Sequence, residues 1–242
     1  YAWWRLMASL ALMTVGGAGM YAVSVVLPAV QADFGVDRAA ASLPYTWTMI
    51  GFGIGGMLMG RLADRYGVMV PLMLGAVGLG LGFVGAGLAG SLWLFILAQG
   101  LLLGLLGTSA TFAPLVADTS LWFDRRRGIA LAICMSGNYV AGAFWPPVIQ
   151  HFTDSAGWRS TYIGIGIFCV LTTLPLALVY RRRPPVLTAG AVAAQSRAAM
   201  QSERPLGLQP ATLQILLSVA GVACCVAMSM PQVHIVAYCS DL

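Results

Sequence analysis

The chain contains no lysine, and charged side chains make up only 9% of its 242 residues. A soluble domain carries about 25% charged residues, because its surface faces water. So little charge, beside 59% hydrophobic residues, excludes a water-facing surface over most of the chain. Its outer surface must face lipid. Histidine is nearly absent, and none of the five cysteines (Cys134, Cys169, Cys224, Cys225 and Cys239) has metal-ligand spacing. They read as small apolar packing residues, and neither a metal nor another cofactor is expected. Also missing are H-E-x-x-H, a nucleophile elbow and paired aspartates within the apolar runs, so the sequence offers no enzyme chemistry. A ring-forming acidic or filter-like motif, the mark of a channel, is absent as well.

What is present is run length. A helix needs roughly 20 apolar residues to cross the hydrocarbon core. Seven such runs can be read, over 6–30, 43–60, 68–89, 92–117, 128–149, 160–180 and 211–236. The first is too long for a cleavable signal peptide, and no small-residue cleavage site follows it. The fold class expected is therefore an all-α, multi-pass membrane protein.

All thirteen basic residues are arginine. With the N-terminus in the cytoplasm, Arg5, Arg61, Arg65, Arg125, Arg126, Arg127, Arg181, Arg182, Arg183, Arg197 and Arg204 fall inside, and only Arg38 and Arg159 outside. Short cytoplasmic loops retain positive charge in this way. The formal charge of +5 thus reads as topology and contact with anionic membrane lipids, not as nucleic-acid binding. The expected location is the cell (inner) membrane.

Residues 1–183 read as a six-helix bundle and 184–210 as a cytoplasmic linker, rich in Ala, Pro, Gln and Ser without apolar periodicity. Residues 211–242 read as the first helix of a second bundle. Because a lone seventh span follows the linker and the first residue is tyrosine, the sequence reads as part of a longer protein of twelve helices, expected to be a monomer. Within the bundle, "DRYG" at 64–67 and "DSAG" at 154–157 are Asp-x-x-Gly turns on opposite membrane faces, as an inverted three-plus-three repeat predicts. Glycines four apart (Gly51/Gly55, Gly56/Gly60, Gly78/Gly82 and Gly100/Gly104) predict close backbone approach between helices.

The stretch "GRLADRYG", residues 60–67, is read as a loop between the second and third spans. Gly60, Leu62, Ala63, Asp64, Arg65 and Gly67 resemble the signature loop of the major facilitator superfamily in type, order and topological position. Val68 and Met69 depart from it, standing where the family usually has two basic residues. The resemblance implies a secondary transporter in which Asp64 caps a helix of the other half and helps hold the outward-open state. A carboxylate at a helix N-terminus is stabilised by the dipole and the free amide groups. Asp118, at the end of the fourth span, is expected to pair with Arg61 or Arg65 of this latch, because a carboxylate at membrane depth wants a partner.

Residues 111–162 resemble the fourth and fifth spans of monocarboxylate transporters and their bacterial relatives. The matching elements are Pro114, Trp122 and Phe123, the basic run ending at Arg127, Ala130, Gly137, Pro146 or Pro147, and "GWR" at 157–159. The resemblance implies transport of a small organic anion, with a proton as the candidate coupled ion by analogy. A lysine that animal members carry near the outer end of span 1 is missing; Ser24 and Val25 stand near its position. An efflux antiporter of the same superfamily is the alternative, although Ala141 and Gly142 replace its Gly-Pro.

In that superfamily spans 1, 4 and 7, with part of span 5, line the central cavity. Carried onto this chain, the cavity candidates are Thr14, Tyr21 and Ser24; Thr108 and Phe112; and Asn138 and Trp145. Gly17, Leu115 and Ala141 share their stripes. Serine and threonine hydroxyls can instead bond their own helix carbonyls, so Asn138 and Tyr21 are the harder candidates to dismiss. His234, near the outer end of span 7, reads as an interfacial histidine.

Overall fold

A computed structural model describes residues 2–123, 126–181, 212–213, 215–223 and 226–227. Tyr1–Pro184 and Pro185–Leu242 are two separate compact units. Every regular element among the described residues is helical. The described residues of the second unit are helical; the linker, His234, Cys224, Cys225, Cys239 and most of the seventh run lie outside the described residues.

The first unit holds α1 (Ala2–Gly16), α2 (Ala18–Phe34), α3 (Arg38–Tyr66), α4 (Met69–Gly87), α5 (Leu92–Leu97), α6 (Ala113–Trp122), α7 (Arg127–Ala156) and α8 (Trp158–Leu178). A π-helical stretch, Ala98–Thr108, continues α5, and a 3-10 turn, Val179–Arg181, follows α8. These pieces make six rods. By length and composition, Ala2–Phe34, Met69–Gly87, Leu92–Trp122, Arg127–Ala156 and Trp158–Arg181 can each cross a membrane. The remaining rod, α3, has 29 residues, more than a crossing needs. Its glycine-rich "GFGIGG" and its Tyr, Trp and Thr residues leave it less apolar than the others.

Two rods expected to be continuous are broken. Gly17 interrupts the first between α1 and α2, and Thr111–Phe112 form a turn in the fourth before α6. Gly16 and Gly17 contribute no side-chain packing and have low helix propensity, so a break there is cheap. Conversely, the segment read as a loop is not one. Residues 60–66 are the last turns of α3, which ends only at Gly67, because nothing before that glycine breaks a helix.

Gly67 (φ 89, ψ 163) and Gly157 (φ 82, ψ 153) share one backbone conformation, and each donates its N–H to the carbonyl four residues earlier, Ala63 (2.8 Å) and Thr153 (3.0 Å). That region of φ/ψ space is open essentially to glycine alone. The two Asp-x-x-Gly turns thus match down to their dihedral angles.

Close backbone approach organises the core. A Cβ on Gly51 or Gly55 would run into the carbonyl oxygens of Gly100 or Leu105, so α3 lies directly on the π-helical stretch. Gly75, Gly78 and Gly82 of α4 approach the other side of the same rod. Gly56 and Gly60 instead face open space, so only one of the two paired glycine motifs in α3 packs. Two apolar cores result. One surrounds Phe83, Phe95, Trp158 and Tyr162; the other surrounds Leu6, Met13, Leu72 and Tyr180.

Candidate functional site

Each end of the bundle is tied by one arginine. Arg159, the arginine of "GWR", donates to Asp33 Oδ2 (2.8 Å from Nη2) and to the Ala89 carbonyl (2.7 Å from Nη1), joining the ends of α2 and α4 to the start of α8. Its guanidinium lies over Trp158, 4.7 Å from the ring centre. Both partners of this ion pair are partly exposed, so its electrostatic contribution is modest.

Arg5 ties the opposite end in a different way. Its Nε donates to Asp118 Oδ2 and its Nη2 to Oδ1, both at 2.7 Å, a bidentate pair in which Arg5 and Asp118 are 2% and 1% exposed. The rings of Trp122 (4.8 Å) and Tyr180 (4.4 Å) lie against the guanidinium. The Tyr180 hydroxyl shares a hydrogen bond with Ser9 Oγ (2.6 Å) and donates to the Arg5 carbonyl (3.2 Å). Asp118 is therefore not partnered by Arg61 or Arg65. Arg5, 113 residues away, reaches it first because the start of α1 lies beside the end of α6.

Arg61, Asp64 and Arg65 are exposed on the last turns of α3, and among the described residues Asp64 joins no ion pair. The Arg65 guanidinium lies 5.3 Å from the centre of the Tyr66 ring. Gly60 faces open space, and Gly67 caps the helix.

Deeper in the bundle the two helix interruptions meet. A Cβ on Gly16 would collide with the Thr111 side chain, and one on Gly19 would lie 2.7 Å from Thr108 Cγ2. On the other side, Gly17 faces Ala141 and Asn138, whose Oδ1 would lie 3.4 Å from a Cβ on that glycine. Gly142 faces Tyr21, whose hydroxyl would lie 2.9 Å from a Cβ there. Glycines at 17 and 142 thus make room for Asn138 and Tyr21 along one seam between α2 and α7.

The cavity candidates divide by hydrogen bonding. Thr14 donates to Leu10 O (2.9 Å) and Gly137 O (3.1 Å), Ser24 to Tyr21 O (2.8 Å), and Thr108 to Leu103 O (2.9 Å). Trp145 Nε1 donates to Thr14 O (2.7 Å), bracing the rod just before its break. Thr108 and Trp145 are buried, whereas Phe112 is half-buried and packs edge-on to Phe52, 5.6 Å between ring centres. Asn138 and Tyr21 are half-buried and find no hydrogen-bond partner among the described residues. Sequence reasoning did not find Arg5, whose role depends on a distant partner, and it set no weight on Gly142, whose signal was a missing side chain beside Tyr21.

The family model described as Major Facilitator Superfamily matches residues 9–240. The MFS-type transporter pynF of Aspergillus niger is 34% identical over 132 residues, 54% of this chain and 30% of that protein. Monocarboxylate transporter 11 of Homo sapiens is 33% identical over 123 residues, 48% of this chain and 26% of its own length. Riboflavin transporter RibJ of Trypanosoma brucei brucei is 30% identical over 135 residues, 55% of this chain and 24% of that protein. The matched segments thus cover about a third or less of each of these three relatives. Five rods long and apolar enough to cross a membrane and a match across nearly the whole sequence lead to one conclusion: the chain belongs to the Major Facilitator Superfamily of membrane transporters.

Proposed function

We propose that the protein moves a small organic anion across the membrane by alternating access, with Asn138 and Tyr21 among the groups that hold it. The observation that carries this reading is the meeting of two interrupted helices beside two polar side chains that the bundle leaves unsatisfied. A polar group kept at membrane depth without a partner is costly, so it marks a place where a ligand or water completes its bonding. Helix interruptions near the midplane are where transporters of other folds place their substrates. The resemblance to monocarboxylate transporters across residues 111–162, and the monocarboxylate transporters among the relatives, favour a carboxylate.

Asn138 and Tyr21 supply neutral donors only. Among the described residues the one buried arginine, Arg5, is already committed to Asp118. A cationic partner for the substrate therefore comes from outside residues 1–183. The Arg5 end, where Arg61, Arg65, Arg126, Arg127 and Arg181 are exposed, is the cytoplasmic one, and Asp64 there acts as a latch toward a second bundle.

The test is uptake of radiolabelled lactate and benzoate by the whole protein in proteoliposomes, with and without an imposed proton gradient. Uptake above that of empty liposomes is expected. No carboxylate uptake, together with extrusion of a cationic dye from the same vesicles, would replace this reading with the efflux antiporter.

A further inference from the structure

Three glycines lie on the seam where α1 and α2 meet α7, and a Cβ added to each separates them into two kinds. On Gly137 it would stand 2.6 Å from the Leu10 carbonyl oxygen and 2.9 Å from Met13 Cβ. On Gly17 it would stand 2.5 Å from Ala141 Cβ and 3.2 Å from the Met13 carbonyl oxygen. Backbone and Cβ atoms cannot swing aside, so a side chain at either position must push the rods apart. Gly137 and Gly17 are glycine because the helices touch there.

Gly142 is different. The three nearest atoms to a Cβ on it all belong to the tip of one ring: Tyr21 Cζ and hydroxyl at 2.9 Å, and Cε1 at 3.1 Å. A phenol tip moves by rotation about its own side-chain bonds, at little cost to the fold. The helices are already in contact at Gly17 and Ala141, one residue before Gly142. A methyl group at position 142 would therefore leave the rods in place and displace the Tyr21 hydroxyl.

What stands beside that hydroxyl gives its position a consequence. Gly142 lies four residues along α7 from Asn138, on the same helix face, where neighbouring side chains start about 5–6 Å apart. The Tyr21 ring crosses from α2 to rest on this face, one turn from the Asn138 amide. Neither group finds a hydrogen-bond partner among the described residues. Two donors so spaced can reach two acceptor atoms of one small ligand. Both α2 and α7 belong to one compact unit, so the contact is complete within it.

We infer that Gly142 is a positioning residue for substrate: its bare Cα seats the Tyr21 phenol so that the hydroxyl and the Asn138 amide hold one ligand together. This rests on the organic-anion reading above for the ligand, and on the contact between α2 and α7 for the seat.

Two arms test it in the whole protein. In the first, labelled lactate uptake in proteoliposomes is measured for Gly142→Ala, Tyr21→Phe and the double variant. Gly142→Ala should raise KM roughly three- to tenfold, the scale of one neutral hydrogen bond, with kcat within about twofold and folded yield unchanged. The double variant should exceed the KM of Tyr21→Phe by no more than about twofold, because both changes take away the same hydroxyl. Gly85→Ala, where a Cβ would make only an ordinary contact with Ala98 at 3.9 Å, should alter neither constant. An unchanged KM in Gly142→Ala, or a double variant whose KM multiplies the two single effects, overturns the positioning role. In the second arm, fluorotyrosine replaces Tyr21 alone, and its fluorine resonance reports the surroundings of the ring without any substrate. Gly142→Ala should move that resonance by more than its linewidth, and Gly85→Ala should leave it in place. A resonance unmoved by Gly142→Ala overturns the seat whatever the substrate. A moved resonance in a protein that takes up no carboxylate supports the seat and removes the organic-anion reading alone.

Discussion

Replacing Arg5 with methionine should destabilise the bundle far more than replacing Arg5 and Asp118 together. In the single variant Asp118 stays buried with its bidentate partner gone, and the rings of Trp122 and Tyr180 lose the cation packed against them. Breaking a buried pair on one side costs about 3–5 kcal/mol, chiefly because a charge is left uncompensated. Replacing both partners by apolar residues of similar volume is often neutral or stabilising. Arg5→Lys should fall between, since an ammonium cannot make the bidentate contact. At about 2–4 °C per kcal/mol for a chain of this length, Arg5→Met should lower the melting temperature by roughly 6–20 °C. Arg5→Met/Asp118→Leu should recover most of that loss. Thermal unfolding in detergent, followed by size-exclusion of the surviving monodisperse fraction, gives the comparison. A double variant less stable than either single variant would show that the pair contributes through something other than mutual neutralisation.

Three further outcomes are expected. Gly67→Ala and Gly157→Ala should each lose about 1–3 kcal/mol of stability, because both glycines hold a conformation that alanine resists although open space surrounds them. Gly51→Val should disrupt the contact of α3 with the π-helical stretch and abolish folded yield on size-exclusion, while Gly56→Val and Gly60→Val should express normally. Asp64→Asn should slow transport by the whole protein at unchanged expression, since a carboxylate that caps the N-terminus of a helix of the second bundle contributes about 0.3–1 kcal/mol when exposed, and up to about 2 when partly buried. Uptake kinetics identical to the unaltered protein would remove the latch role.

Much of this architecture is legible in run length. The five crossing rods and the place of α3 follow from apolar stretches and their punctuation, and Gly51/Gly55 and Gly78/Gly82 were readable as contact faces. Which glycine pair packs was not readable, because Gly56/Gly60 has the same spacing and differs only in what lies opposite. The break at Thr111–Phe112 has a local signal in Pro114, in the first turn of α6, which cannot donate to the Ala110 carbonyl and so cannot continue the helix; what local sequence conceals is that Thr111 packs against Gly16. The pairing of Arg5 with Asp118 spans 113 residues and emerges only once α1, α6 and the turn after α8 are brought together. The division among the polar candidates was foreshadowed by chemistry. Thr14, Ser24 and Thr108 could bond carbonyls of their own helices and do so, whereas Asn138 and Tyr21 do not.

The central claim is that substrate binds where the two interrupted helices meet, and steady-state lactate uptake by Asn138→Ala and Tyr21→Phe in the whole protein tests it most directly. Each variant should raise KM by up to about tenfold, near 1.4 kcal/mol, the scale of one neutral hydrogen bond, with folded yield unchanged. Kinetic constants equal to those of the unaltered protein in both variants would place the substrate elsewhere.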